Sequence, residues 1–185
     1  MKSSFLICGV LLAYGGISQT PAIAINPYSQ DVTQSQVPSL FRQDSLKVSQ
    51  GIGVTKFETE LLKLTNLERK KLGLAPLKLS VKLTRAAQFH AEDMANKNYF
   101  SHTGKNGSSM ADRTKVVGYK YSFLGENLAA GRATPEGTVR QWMNSTGHRA
   151  NILNEKFTEI GFGYAISPNS RYRHYWVQVF GTPRN

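Results

Sequence analysis

The sequence predicts an α+β domain, on three observations. Apolar residues recur at helical spacing through residues 56–94 and again after residue 134, bulky residues alternate with Gly and Ala in residues 160–166, and the helical segments precede the strands. With 185 residues, 40% of them hydrophobic and 19% charged, the chain has the makings of one ordinary domain plus an extra segment. Wholesale disorder, coiled coil and collagen-like architectures are excluded by the same composition.

The extra segment comes first. Residues 1–24 have the layout of an export signal: Lys2 as the charged end, an apolar stretch over residues 5–14, then a weaker Gly-rich part leading to Ala22-Ile23-Ala24, after which cleavage is expected. The dense apolar run is about half of the ~20 residues that a bilayer-spanning helix needs, so no transmembrane segment is expected in the exported chain. Cys8, the single cysteine, lies inside this stretch rather than behind a small-residue lipidation site. The exported domain is therefore expected to hold no disulfide and no thiolate metal site, and to rest on its hydrophobic core. Residues 25–55, rich in Ser and Gln and without helical or strand period, read as a flexible linker. The domain proper is placed at residues 56–183.

In residues 56–73, Phe57, Leu61, Leu64 and Leu67 share one face of a helix expected to end at Gly73. Ser80 is positioned to cap a second helix with Leu83, Ala87, His90 and Met94 inward and Lys82, Arg85, Glu92 and Asp93 mostly toward water. Thr134-Pro135 starts a third, with Thr as cap and Pro at the first helical position; Val139, Trp142 and Met143 point inward, and the helix is expected to stop near Gly147. The period then changes. Ile160-Gly161-Phe162-Gly163-Tyr164-Ala165-Ile166 is a strand with one bulky face and one bare face, and a bare face admits a close neighbour. Residues 167–170 form a turn, and Tyr175-Trp176-Val177-Gln178-Val179-Phe180 is a second strand, the two pairing as an antiparallel hairpin.

The chain carries 23 basic and 12 acidic residues, a net charge of +11; without Lys2 it has 22 basic residues and +10. Outside the cytoplasm, such a charge points to an anionic envelope polymer or lipid and not to nucleic acid.

Four histidines follow the signal. His90, on the inward stripe of the second helix, reads as a hydrogen-bonded core residue. His174, among Arg171, Arg173 and two tyrosines, reads as solvated. His102 and His148 lie in short polar loop segments at the ends of helical patterns, where a rigid scaffold builds sites. Glu126 belongs with them, because a carboxylate between Gly125 and Asn127 is expected in a tight turn that aims it. Spacing alone makes no metal motif of three residues more than twenty positions apart. Trp142, Trp176 and Tyr175 read as core aromatics, Asp112-Arg113 as a structural ion pair or cap, and Arg69-Lys70-Lys71 as charge that favours a helix C-terminus.

The order of the segments says more. Asn66-Leu67-Glu68-Arg69 with Gly73 and Pro76-Leu77, then Phe100-Ser101-His102, Gly125-Glu126-Asn127-Leu128-Ala129, Trp142-Met143-Asn144-Ser145 and Gly147-His148-Arg149-Ala150-Asn151-Ile152-Leu153 run in sequence. With Ile160-Gly161-Phe162-Gly163 and the final strand, this series resembles the CAP superfamily (cysteine-rich secretory protein, antigen 5 and pathogenesis-related 1; the SCP domain), in its secreted bacterial branch. The likeness covers residues 57–181 without a large gap. It implies an α-β-α sandwich, a small antiparallel sheet between helical layers. It also implies a central cleft in which two histidines and two acidic residues can hold a divalent cation, often zinc. By position, His102 and His148 match the histidines and Glu126 the glutamate of the Gly-Glu-Asn motif. The second glutamate is replaced, its places being Asn144 and Ser145, which remain accessory candidates together with Glu159. The cysteines of the eukaryotic members are absent as well.

Two imidazoles and one carboxylate with an open position make a reasonable zinc site, whereas the usual carboxylate for proton transfer is missing. The expectation is a secreted protein, periplasmic or extracellular, whose cleft binds a divalent cation and a ligand without established turnover. The alternatives are a metal-dependent hydrolase of peptide or cell-wall material and a lipid- or envelope-binding protein.

Overall fold

The computed structural model describes residues 9–10 and 55–184. The expected linker, and the expected export signal apart from Gly9 and Val10, lie outside the described residues. Strand β1 (Gly9–Val10) is followed by helix α1 (Lys56–Lys70), strand β2 (Lys78–Leu79), helices α2 (Val81–Asn96) and α3 (Met110–Val116) and strand β3 (Tyr121–Ala130). Helices α4 (Pro135–Met143) and α5 (Thr146–Ile152) and strands β4 (Glu159–Ile166) and β5 (His174–Pro183) complete the fold. The strands form one sheet in the order β1-β3-β5-β4-β2, antiparallel except where β2 runs parallel to β4.

Alternation along β5 sorts the core into two layers. On one face, Leu83, Ala87, Ala91 and Met94 of α2 pack on Leu124, Leu128, Tyr175, Val177 and Val179. On the other, Leu61 of α1, Val139 and Trp142 of α4 and Ile152 of α5 pack on Ala129, Ile160, Phe162, Trp176 and Phe180. The result is the α-β-α sandwich, and each fully buried Leu, Ile or Phe contributes about 1.5–3 kcal/mol to it. The bare face of β4 sets the spacing on the α2 side: a Cβ on Gly161 would strike the backbone of Leu83 and Thr84, and one on Gly163 that of Ala87.

The hairpin of β4 and β5 and the helices α1, α2 and α4 follow the sequence pattern, with differences at their ends. Helix α1 stops at Lys70, short of Gly73, and Arg69 turns inward instead of facing solvent. Its guanidinium donates to the carbonyls of Ala75 (2.9 Å), Ile152 (2.8 Å) and Asn154 (2.9 Å), tying the end of α1 to the end of α5. Thr134 Oγ1 caps α4 through the Gly137 amide (3.2 Å), whereas Ser80 precedes α2 without a side-chain cap bond. The helix expected to run to Gly147 ends at Met143, and the chain restarts as α5 with Ser145 as its N-cap residue.

Two further elements escape the pattern. Residues 124–130 of β3 are buried on both faces, which erases the alternation that marks a half-exposed strand. Helix α3 is short but opens with a capping box: Ser109 Oγ accepts from the Asp112 amide (3.2 Å) and the Asp112 carboxylate from the Ser109 amide (2.9 Å).

Candidate functional site

Glu126 lies in the middle of β3, in extended backbone and not in the tight turn its Gly and Asn neighbours suggest. Gly125 answers a packing need: a Cβ there would stand 2.7 Å from Phe157 Cζ. Pairing places Glu126 opposite Val179 and Asn127 opposite Gln178, so the two side chains leave β3 on opposite faces, Glu126 on the side of α2.

The Glu126 side chain is 3% exposed and both of its oxygens are engaged. His102 Nδ1 lies 2.8 Å from Oε1, and Arg113 Nη2 donates to Oε2 at 2.7 Å. Burial alone would raise the carboxyl pKa. The hydrogen bond from His102 and the charge of Arg113 outweigh it and hold the group below the usual carboxylate range. An ionised carboxylate only accepts, so His102 carries a hydrogen on Nδ1.

The loop bearing His102 is pinned on both sides. Arg113 Nη1 donates to the carbonyls of His102 (3.2 Å) and Ser108 (3.1 Å), and His90 Nε2 donates to the Ser101 carbonyl (2.9 Å). Burial pushes the His90 pKa down, which keeps its ring neutral. His90 is thus the hydrogen-bonded core residue expected from its stripe. Arg113 is different: Asp112 serves the α3 cap, and its neighbour belongs to the site. A buried carboxylate calls for a counter-charge, but no local spacing tells which distant cation supplies it.

His148 sits on α5 and not in a loop, because the chain re-enters helix after Ser145; it is 1% exposed. Its backbone carbonyl accepts from Asn127 Nδ2 (3.0 Å), which also donates to Gln178 Oε1 (2.9 Å). Asn151 Nδ2 donates to Asn127 Oδ1 (2.8 Å) and to the Glu126 carbonyl (3.3 Å), and Gln178 Nε2 donates to Thr65 Oγ1 (3.0 Å). An ionic cluster therefore fills one side of β3, and a chain of neutral amides fastens the His148 helix to the other. Among the described residues, no group of three or more His, Cys, Asp or Glu side chains is placed to hold a metal. Glu126 is the hydrogen-bond partner of His102, and His148 lies on the helix fastened to the other face of the strand.

The accessory candidates Asn144, Ser145 and Glu159 lie on separate elements. Asn144 is the exposed C-cap of α4 and Ser145 the buried N-cap residue of α5. Glu159 pairs with Gly181, two strands and two residues from Glu126, a backbone separation of about 12 Å from strand spacings. It lines a separate cleft of about 540 Å³ with Tyr119, Lys120 and Arg184. His174 is half-buried and keeps part of its surface in solvent: Nδ1 lies 2.8 Å from the Tyr164 hydroxyl and the two rings stack. Desolvation, then the charge of Arg173, lowers its pKa. Trp142, Trp176 and Tyr175 are fully buried core aromatics. Among the described residues, no helix is long and apolar enough to cross a membrane.

Residues 62–180 match the model of the family described as CAP, the cysteine-rich secretory protein family. The chain is 40% identical to Bacillus subtilis YkwD over 148 residues, 80% of this chain and 56% of that protein. It is 38% identical to the Bacillus subtilis membrane protein YlbC over 126 residues, 68% of this chain and 34% of the relative. The matched segments thus span about half or less of these relatives. An extracellular SCP-domain protein from Bacillus anthracis superimposes with a TM-score of 0.60 at 32% identity, covering 66% of this chain and 39% of that one. An outer surface protein from Borrelia burgdorferi shares the fold with a TM-score of 0.65 at 22% identity, over 72% of this chain and 97% of that one.

Proposed function

The chain belongs to the cysteine-rich secretory protein (CAP) family, and from that premise we propose that it is an exported binding module. In this reading the cleft beside β3 takes a divalent cation on the imidazoles of His102 and His148 and binds a ligand without turning it over. The state of Glu126 carries the proposal. A carboxylate accepting from Nδ1–H of a histidine orients the ring and raises the basicity of its other nitrogen, which favours a metal at Nε2, and zinc accepts such nitrogen donors. The same carboxylate is a poor general base. Proton transfer favours a pKa near the working pH, whereas Glu126 is shifted the opposite way and both of its oxygens are occupied. This favours binding over hydrolysis. The export-signal layout and the extracellular relative from Bacillus anthracis support an extracytoplasmic setting.

Zinc titration by calorimetry tests the reading on wild type and on a His102→Ala/His148→Ala double variant. Wild type is expected to bind zinc at least a hundredfold more tightly. Equal binding overturns the site, and metal-dependent turnover of a peptide or wall substrate that disappears in Glu126→Ala would replace the module with a hydrolase. The +10 charge of the exported chain supports a second, compatible reading, adhesion to anionic lipid or wall polymer. Binding to anionic vesicles should then weaken steeply with salt; salt-insensitive or absent binding removes it.

A further inference from the structure

We propose that the outer edge of β3, beside Glu126 and Asn127, binds an extended, uncharged polypeptide segment as an added antiparallel strand. The inference deepens the binding-module reading by naming the ligand class, and it rests on that reading.

Three observations meet at this edge. First, it already holds such a strand: β1 pairs antiparallel with β3, Gly9 opposite Asn127 and Val10 opposite Glu126. Gly9 and Val10 belong to the apolar stretch that the sequence marks for removal on export, and β5 occupies the other edge of β3. In the exported chain β3 is then an edge strand, with main-chain N–H and C=O groups turned outward.

Second, nothing blunts the edge. Proteins protect edge strands with Pro, Lys, inward-pointing charges or bulges. Residues 124–130 contain no Pro and no Lys, and the pairing irregularity of β3 lies earlier, between Tyr121 and Phe123. Their one charge, Glu126, is neutralised within the fold by Arg113.

Third, the edge has walls. The His102–Glu126–Arg113 cluster lies on one side of β3, and α5, which contacts β1, lies on the other, fastened by Asn127 and Asn151. The strand already lying there contacts the helix of His148. Pairing is through main chain, so it asks for an extended peptide and not a particular sequence; alternate side chains would meet the two walls. The strand seen in place, Gly9–Val10, carries no charge, and neither does the apolar stretch of sequence that contains it, residues 5–14, which sets the polarity of the ligand.

The test compares the full chain with a chain starting at Ile25. Among the described residues, both core clusters are built from residues between Leu61 and Phe180, all of which the shorter chain retains. The probe is a fluorescent peptide of residues 5–14 with Cys8→Ser and terminal lysines for solubility, followed by fluorescence anisotropy. Saturable binding to the shorter chain is expected, at least tenfold tighter than to the full chain, whose own segment occupies the edge. Neighbouring amides of a strand point in opposite directions. N-methylation at Gly9 or at Val10, but not at both, should therefore weaken binding at least tenfold, and hydrogen exchange should slow in residues 124–128. Absence of saturable binding, equal binding to the two chains, equal effects of the two N-methylations, or protection elsewhere would each overturn the inference. Zinc affinity of the same shorter chain separates the two claims. Peptide binding lost with zinc binding intact overturns this inference alone; the N-methylation pattern without zinc binding overturns the cation reading alone.

Discussion

Two neighbours on β3 bury polarity in opposite ways. Glu126, on the α2 face, is a charge held by another charge, with Arg113 at 2.7 Å and His102 at 2.8 Å. Asn127, on the other face, belongs to a run of neutral groups from Asn151 through Gln178 to Thr65. The ionic face concentrates its electrostatic cost at one point, where a single deletion leaves a naked charge in a dry place. The amide face spreads its cost over several bonds, so deletion of one member is felt by its partners and no more.

The largest test removes the counter-charge. Arg113→Met should cost about 3–5 kcal/mol in urea unfolding at pH 7, because Glu126 remains buried without its cation. A loss below that of the amide variants would break the comparison. The pH dependence sharpens it. The folded pKa of Glu126 lies below its unfolded value, so its contribution is fully present above the unfolded pKa, about 4.3, and is lost as pH falls through the folded pKa. In Arg113→Met the carboxyl pKa should rise, so that acidification relieves the variant while it weakens the wild type. The two stability curves should converge below about pH 4. Asn127→Leu carries no such linkage, and its curve should run parallel to wild type.

Gly161→Val probes the same α2 face without charge. The new side chain would meet helix backbone at Leu83 and Thr84, which cannot rotate away, and the expected loss is about 1–3 kcal/mol, near the upper end. Asn127→Leu, across the strand, should cost about 1–3 kcal/mol, near the lower end, by stripping partners from Gln178, Asn151 and the His148 carbonyl. It should also loosen α5, visible as faster hydrogen exchange around His148.

What the sequence revealed of these faces follows from periodicity. Helices α1, α2 and α4 have one wet side, and β4 alternates bulky residues with Gly, so their patterns survive in the letters. Strand β3 is buried on both faces from residue 124 to 130, so the Gly-Glu-Asn run reads as a turn although it is extended. His102 and Glu126 could be singled out through family resemblance, and the structure brings them together. Arg113 could not, because its partner is thirteen residues away on another element and the adjacent Asp112 offers a nearer explanation. The amide run was equally hidden: Asn127, Asn151, Gln178 and Thr65 come from four elements, and only the sheet register aligns them.

The smallest expected effect tests whether that run acts as a unit. Thr65 is fully buried on α1 and accepts from Gln178 Nε2 at 3.0 Å. Thr65→Val preserves the shape and removes the acceptor, leaving one amide hydrogen unsatisfied for a loss of about 1 kcal/mol. Combined with Asn127→Leu, it should depart from additivity by at least about 0.5 kcal/mol, since both variants act on the Gln178 side chain. Combined with Arg113→Met, it should add to within about 0.5 kcal/mol, because the two groups share no partner and lie on opposite faces of the sheet. Strong coupling across the sheet in unfolding measurements would mean that β3 transmits strain between its faces, and the ionic and amide halves would then have to be treated as one network.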